Sequence, residues 1–309
     1  MRETGSRLAR KLFLICEGNC FQSKRESVPS GTMKKHLLMV LGVIVTFAFV
    51  FQLDGHFRIS ELIAQEVRLS DRGRLQQMID NAFSLLKIRK DKKALVILEQ
   101  VLNGDPGNLD ALWGKAEVLR RKRDYKEAQT LLNNVLKKNP SHSSALLSLS
   151  YIRLKENCLK DALKLVNRAL VSSRSDKENQ ALAYVMLGTI NATRAARGSF
   201  FSKITYGLRI KGYFLKARKL APDLAEVHLA IGTFYLSAPK IIGGNLDLAI
   251  QELEQAVRIA PEFATANARL AAAFKTKGNL EKYNYYLKRA RELDPQNEAV
   301  SKNEKPGNS

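Results

Sequence analysis

Alanine stands at Ala94, Ala128 and Ala162, 34 residues apart each time, and the same slot returns at Ala249. Proline follows at Pro106, Pro140, Pro222, Pro261 and Pro295. The register holds from Leu75 to Asn297, and fixed-period self-similarity of this length marks a stack of one supersecondary unit. In such a stack no unit buries its apolar face alone. Each covers its neighbour, and the core runs along the array.

Leu109 to His142 is the cleanest copy. Leu112, Ala116 and Leu119 lie at helical spacing, and after a short break so do Ala128, Leu132 and Val135. Asp124 sits where an N-cap accepts from the free N–H groups of a first turn. Pro140 marks where the second helix has stopped, since proline lacks the donor and restricts the residue before it. Each copy reads as a helical hairpin whose small residues let the two backbones approach. The pattern resembles the tetratricopeptide repeat. Copies begin with Met78, Ala82, Leu85, Ala94, Leu98, Val101 and Pro106. They continue with Leu146, Ser150, Ala162, Val166 and Ala169, where Arg174 stands in the proline slot. The fourth copy opens on Leu187-Gly188, and about ten further residues intervene before Phe214, Ala217 and Pro222. The fifth carries Ile231-Gly232, Tyr235, Ala249, Leu253 and Pro261, with an insertion around Ala238 to Gly244. The sixth carries Leu270-Ala271, Phe274, Leu287, Ala290 and Pro295. The expected fold is all-α: a right-handed superhelical solenoid of about six such hairpins over 75–297, following an N-terminal membrane segment.

That segment is residues 37–51, LLMVLGVIVTFAFVF, preceded by Lys34 and Lys35 and closed by Gln52-Leu53-Asp54. A basic start and an apolar core make a signal peptide or a signal anchor. Spanning needs about 20 apolar residues, so 36–53 is a short span. A cleavage site would rest on Thr46 and Ala48, which favours an uncleaved anchor. The positive-inside rule then leaves 1–35 in the cytoplasm and the repeats on the periplasmic side of an inner membrane. A soluble periplasmic protein released by cleavage is the alternative. Met33-Lys34-Lys35 also reads as a natural start. Residues 1–35 are expected to be a disordered basic segment, 54–74 a linker or first helix, and 298–309 a disordered tail.

Little in the chain points to chemistry. There is no Gly-x-x-x-x-Gly-Lys loop, no His-Glu-x-x-His and no nucleophile elbow. Cys16 and Cys20 form a lone C-x-x-x-C with no nearby histidine, and two ligands do not make a zinc site. No cofactor, metal or enzymatic activity is expected. His228 occupies a packing slot, and Gly243-Gly244 reads as a turn.

The net charge of +21 bears on partners. Between Glu178 and Asp223 there is no acidic residue, while Arg194, Arg197, Lys203, Arg209 and Lys211 interleave with Phe200, Phe201 and Tyr206. Such a surface suits anionic lipid, where each cation contributes ~1 kcal/mol. Export disfavours nucleic acid, and oligomerisation stays open. The first helix of each hairpin lines the inner surface in tetratricopeptide arrays. This places Trp113, Glu117, Arg120 and Arg121, with Tyr151 and Lys155 one repeat later, in a groove for a protein or peptide partner. Aromatic and arginine anchors are what interfaces use, and the arginines suit a carboxylate.

Residues 177–297 resemble a narrower family, on Tyr235-Leu236-Ser237-Ala238-Pro239 and Gly243-Gly244-Asn245-Leu246-Asp247-Leu248-Ala249. This is the tetratricopeptide accessory component of tripartite ATP-independent periplasmic transporters. The resemblance implies a helical, exported partner of a solute-binding subunit. The chain reads first as a membrane-tethered interaction scaffold, and second as such a transporter accessory.

Overall fold

The computed structural model describes residues 72–198 and 200–304 together with Met39; the side chains of 200–203, 302 and 304 are not among those described. The chain divides into two units, Met1–Ser70 and Asp71–Ser309, and the helical array is the second. The apolar run at 37–51 lies outside the described residues apart from Met39, which is helical and exposed. Among the described residues no helix is long and apolar enough to cross a membrane.

Thirteen α-helices and no strand occur among the described residues of this array. They are α1 (72–87), α2 (Asp91–Gly104), α3 (Leu109–Arg121), α4 (Tyr125–Lys138), α5 (Ser143–Lys155) and α6 (Leu159–Ser172). Next come α7 (Lys177–Arg197), α8 (Phe200–Leu220), α9 (Ala225–Ser237), a 3-10 turn (Lys240–Ile242) and α10 (Leu246–Ile259). The last are α11 (Ala264–Lys277), α12 (Leu280–Leu293) and α13 (Glu298–Glu304). Helices pair in sequence into six hairpins, α1·α2 to α11·α12, and α13 covers the last.

The caps follow the repeat. Asp124 accepts from the Glu127 N–H as its position predicts, and Asn108, Asp176, Asn245 and Asn279 cap α3, α7, α10 and α12 in the same way. The small slots Ala82, Ala116, Ser150 and Ala271, and the alanines Ala94, Ala128, Ala162 and Ala249, are fully buried. At Gly188 a methyl group would come within 2.2 Å of the Phe214 ring, so the approach of α7 to α8 requires glycine there. Core clusters bridge successive hairpins. Leu132 and Val135 of the second pack with Leu149 and Ile152 of the third, and Val166 of the third with Met186 and Ile190 of the fourth. The result is the continuous core that a repeat array needs.

Two departures from the sequence reading concern insertions and ends. The extra residues of the fourth repeat do not form a loop. They lengthen both helices, so α7 and α8 have 21 residues each where the other hairpin helices after α1 have 13 or 14. Residues 298–304, expected to trail as a disordered tail, form α13. Asn297 caps it by accepting from the Ala299 N–H and donating to Thr265 Oγ1, and Ala299 and Val300 are buried.

The early hairpins also touch the late ones. Arg89, at the α1–α2 turn, pairs with Glu226 of α9 at 2.7 Å and lies 3.7 Å over the Phe263 ring. Arg123, at the α3–α4 turn, pairs with Asp294, and Lys155 pairs with Glu298 of α13 at 2.7 Å. Arg89, Arg123 and Asn157 are 34 residues apart and share a left-handed backbone, with φ of 66°, 67° and 65°. That conformation costs a non-glycine residue roughly 1–2 kcal/mol. At two of the three turns the residue there is an arginine that reaches across the array.

Candidate functional site

The first helix of every hairpin faces one concave cavity of about 2380 Å³. Its wall has two sections.

The charged section belongs to α1, α3, α5 and α13. It contains every groove residue expected from the sequence: Trp113, Glu117, Arg120, Arg121, Tyr151 and Lys155 all line the cavity. Most of their polar groups are already bonded within the wall, however. Glu117 accepts from Arg120 Nε at 2.8 Å, Arg121 Nε at 2.9 Å and Ser148 Oγ at 2.8 Å. Arg121 also bonds Asp91 at 2.6 Å and the Leu86 carbonyl at 3.0 Å, and Trp113 Nε1 donates to Ser148 Oγ at 3.1 Å. The Arg120 guanidinium sits 4.2 Å over the Tyr151 ring. Side-chain exposure of 13% for both arginines and 9% for Glu117 makes this a buried network. Burial pushes the Glu117 carboxyl up. The charges of Arg120 and Arg121, with hydrogen bonds from Arg120 and Ser148, outweigh it and hold the group well below the usual carboxylate range. The sequence reading placed both arginines as partner anchors and did not foresee this network. Removing them strands a buried carboxylate. The sequence signal was present in Glu117-x-x-Arg120-Arg121, where spacings of three and four put acid and bases on one face.

Arg89 is the second charged group that sequence reading passed over. Burial, and then the neighbouring Arg121 charge, pull its guanidinium down to about 10, against the support of Glu226, Asp91 and Glu117. Arg89 Nε and Glu226 Oε2 are buried without a hydrogen-bond partner.

The apolar section belongs to α7, α8 and α9. Leu182, Val185 and Met186 face it from α7, Ile210 and Phe214 from α8, and Leu229, Ala230 and Phe234 from α9. Its few polar groups include Thr189 and Thr193, whose hydroxyls already donate to backbone carbonyls one turn back. Ile242, from the inserted 3-10 turn, closes one side against Gly207. Gly243, at φ 102°, makes the turn that brings it there. The sequence treated this region as an insertion and a basic patch, and did not find its inner face.

The basic patch is real in part. Arg197 and Arg209 are exposed, Arg194 and Lys211 half-buried, and the Lys203 side chain is not among those described. Arg194 joins Lys160, Lys164 and Arg168 along a shallow outer groove. The interleaved aromatics are less available than expected. Tyr206 packs against the core of α8 and α9, and Tyr213 against that of α5 to α7; the side chains of Phe200 and Phe201 are not among those described. His228 has the structural role its slot implies. Its Nδ1 and Nε2 lie 2.6 Å from Glu252 Oε2 and the Pro222 carbonyl. Cys158 is an exposed free thiol, while Cys16 and Cys20 lie outside the described residues.

Residues 92–150 match the tetratricopeptide repeat family model. No curated protein matches. Among solved structures, the solenoid is similar to a thermophilic tetratricopeptide-repeat protein of Thermus thermophilus. The TM-score is 0.51 at 20% identity, over 63% of this chain and 96% of that one. It is also similar to human IFIT1, solved as a dimer with m7Gppp-AAAA. There the TM-score is 0.52 at 19% identity, over 74% of this chain and 52% of that one. Likeness at these identities establishes the tetratricopeptide fold for the described hairpins.

Proposed function

We propose that this protein is an interaction scaffold that holds an extended segment of a partner protein in its concave cavity. The observation that carries the reading is the cavity itself: one continuous space of about 2380 Å³, faced by the first helix of all six hairpins. Small-molecule sites occupy about 300–1,000 Å³ and converge polar groups on one ligand. This one is larger, and many of its charged groups pair with one another while its apolar wall is open. That favours a polypeptide over a solute, and the scaffold over the transporter-accessory reading. The run at 37–51 supports a membrane tether with the repeats exported. The basic face of α7 and α8 then suits contact with an anionic surface.

Site-specific photocrosslinking in cells tests the reading. A benzophenone side chain at Val185, inside the cavity, is expected to yield a discrete protein adduct. The same group at Val171, 63% exposed on the outer side of α6, is expected to yield none. Adducts of equal yield from both positions would count against the cavity.

A further inference from the structure

The inserted 3-10 turn is tightly built. The Gly244 N–H donates to the Pro239 carbonyl and the Asn245 N–H to the Tyr235 carbonyl, both at 3.0 Å. A methyl group on Gly244 would lie 1.8 Å from the Ala238 carbonyl oxygen, so the chain closes on itself there. This frame turns Ile242 inward against Gly207 of α8 and leaves Ile241 outside, 76% exposed. Leu208, next to Gly207, is 59% exposed. A lone exposed aliphatic residue needs no explanation. Here two stand one residue away from the same contact, on two elements that the contact holds together.

Cations rim the pair. Arg209 and Lys240 are exposed, and Lys211 Nζ would lie 3.1 Å from a Cβ at Gly243. None of the three is ion-paired with a described residue. Helix α8 contains no acidic residue, and Asp247, the nearest acid in sequence to the turn, pairs with Lys277 at 2.8 Å. None of these five residues lines the concave cavity, so the patch lies apart from it. Aliphatic side chains among cations suit a bilayer surface, where the first enter the acyl boundary and the second meet the headgroups. Nucleic acid is disfavoured, since no exposed side chain of the patch is an aromatic on which a base could stack. A second copy is disfavoured too, since two aliphatic side chains fall well short of the roughly 1,000 Å² that a specific protein interface buries.

We infer that the edge formed by Leu208 and Ile241, with Arg209, Lys211 and Lys240, docks the array on an anionic lipid bilayer. The inference deepens the reading of a membrane-tethered array with an anionic contact and rests on it: it names a lipid contact outside the cavity and adds an apolar element to the basic face.

The test reconstitutes the full chain in vesicles of phosphatidylcholine, alone or mixed equally with phosphatidylglycerol. Its three cysteines are first replaced by serine, and one new cysteine carries an environment-sensitive nitrobenzoxadiazole label. Labels at Leu208→Cys and Ile241→Cys are expected to blue-shift and to be quenched by a lipid-borne spin label, in the anionic vesicles only. A label at Val96→Cys, on exposed α2, is expected to stay in water. Read at position 208, Arg209→Gln with Lys240→Gln is expected to lower the ratio of docked to undocked protein about thirtyfold, the scale of two headgroup cations. Ile241→Ser is expected to lower it about tenfold. High salt is expected to reverse docking in part. All these residues are exposed, so melting temperatures are expected to match wild type.

The inference is overturned if the labels at 208 and 241 stay in water on anionic vesicles, or if the label at 96 is quenched equally. Docking indifferent to Arg209 and Lys240, or equal on neutral vesicles, overturns it too. So does burial of the labels by added single-stranded RNA, or by rising protein concentration without lipid. A label at Met39→Cys separates the two readings. Lipid quenching at 39 without quenching at 208 and 241 overturns this inference alone. Quenching at none of the three overturns the tethered reading as well.

Discussion

Helices α3 and α5 bring Glu117, Arg120, Arg121, Ser148 and Tyr151 to the cavity, and α7 and α9 bring Val185, Met186, Leu229 and Phe234 to the same space. Both pairs are first helices of their hairpins, so the repeat treats them alike. Their side chains do opposite work. In the first region the groups with most recognition chemistry are bonded to one another and hold adjacent hairpins in place. In the second, little is bonded and the wall is open. A charged groove is therefore not by itself a binding groove. The deciding property is which of its groups already have partners.

The largest effect separating the two regions is expected at Glu117. Glu117→Ala leaves Arg120 and Arg121 buried without their shared carboxylate, and breaking a buried pair costs about 3–5 kcal/mol. Urea unfolding is expected to show that loss, with the Arg120→Ala, Arg121→Ala double variant destabilised on the same scale. A double variant as stable as wild type would return those arginines to the surface role.

Next comes the packing of the long hairpin. Gly188→Ala pushes a methyl group into the Phe214 ring and is expected to cost roughly 1–3 kcal/mol, the overpacking range. Thermal melting with unchanged midpoint would mean that α7 and α8 do not approach as described.

Smaller effects come from titration at the base of the apolar region. Burial disfavours charge on His228, but its bonds to Glu252 and the Pro222 carbonyl outweigh that and raise its pKa. Its contribution to stability is therefore present in full below about pH 6.5, the ordinary histidine value, and fades as pH rises through the higher folded value. Burial raises the Glu252 pKa, but His228 and Arg218 more than reverse it. That contribution is present above the ordinary glutamate value, about 4.3, and fades as pH falls through the lower folded one. The pair thus stabilises most between those ordinary values. His228→Gln is expected to narrow the gap in melting temperature between pH 5.5 and pH 8.5, and a variant with the full wild-type gap would place the dependence elsewhere.

The smallest effect is at the cross-array pairs. Arg123 and Asp294 are partly exposed, so Arg123→Ala is expected to cost below about 1 kcal/mol. Hydrogen exchange is expected to quicken in α12 and α13 and not in α5 or α6. Quickening throughout would mean the pair supports the whole array.

The fold was legible because the repeat writes it in residue classes. Alanine at the tight slots, Asp124 at the cap and Pro140 past the helix end each have a local physical meaning. The six groove residues lie on the inner wall. Their use was not legible, because pairing depends on how neighbouring hairpins stack: Asp91 reaches Arg121 across a hairpin boundary, and Arg89 reaches Glu226 over 137 residues. Residues 298–304 looked polar and terminal, and only the surface left by α11 gives Ala299 and Val300 something to cover.

Filling the apolar region without touching a bonded group tests the division of the cavity most directly. Thr233→Trp places a large ring in the α7–α9 section, where Thr233 is half-buried and lines the cavity. Binding of an extended apolar peptide and the melting temperature are measured on the same preparation. Wild-type melting is expected, with binding at least about tenfold weaker, a loss of ~1.4 kcal/mol. Binding as tight as wild type by a folded Thr233→Trp protein would show that the open apolar wall is not where a partner sits.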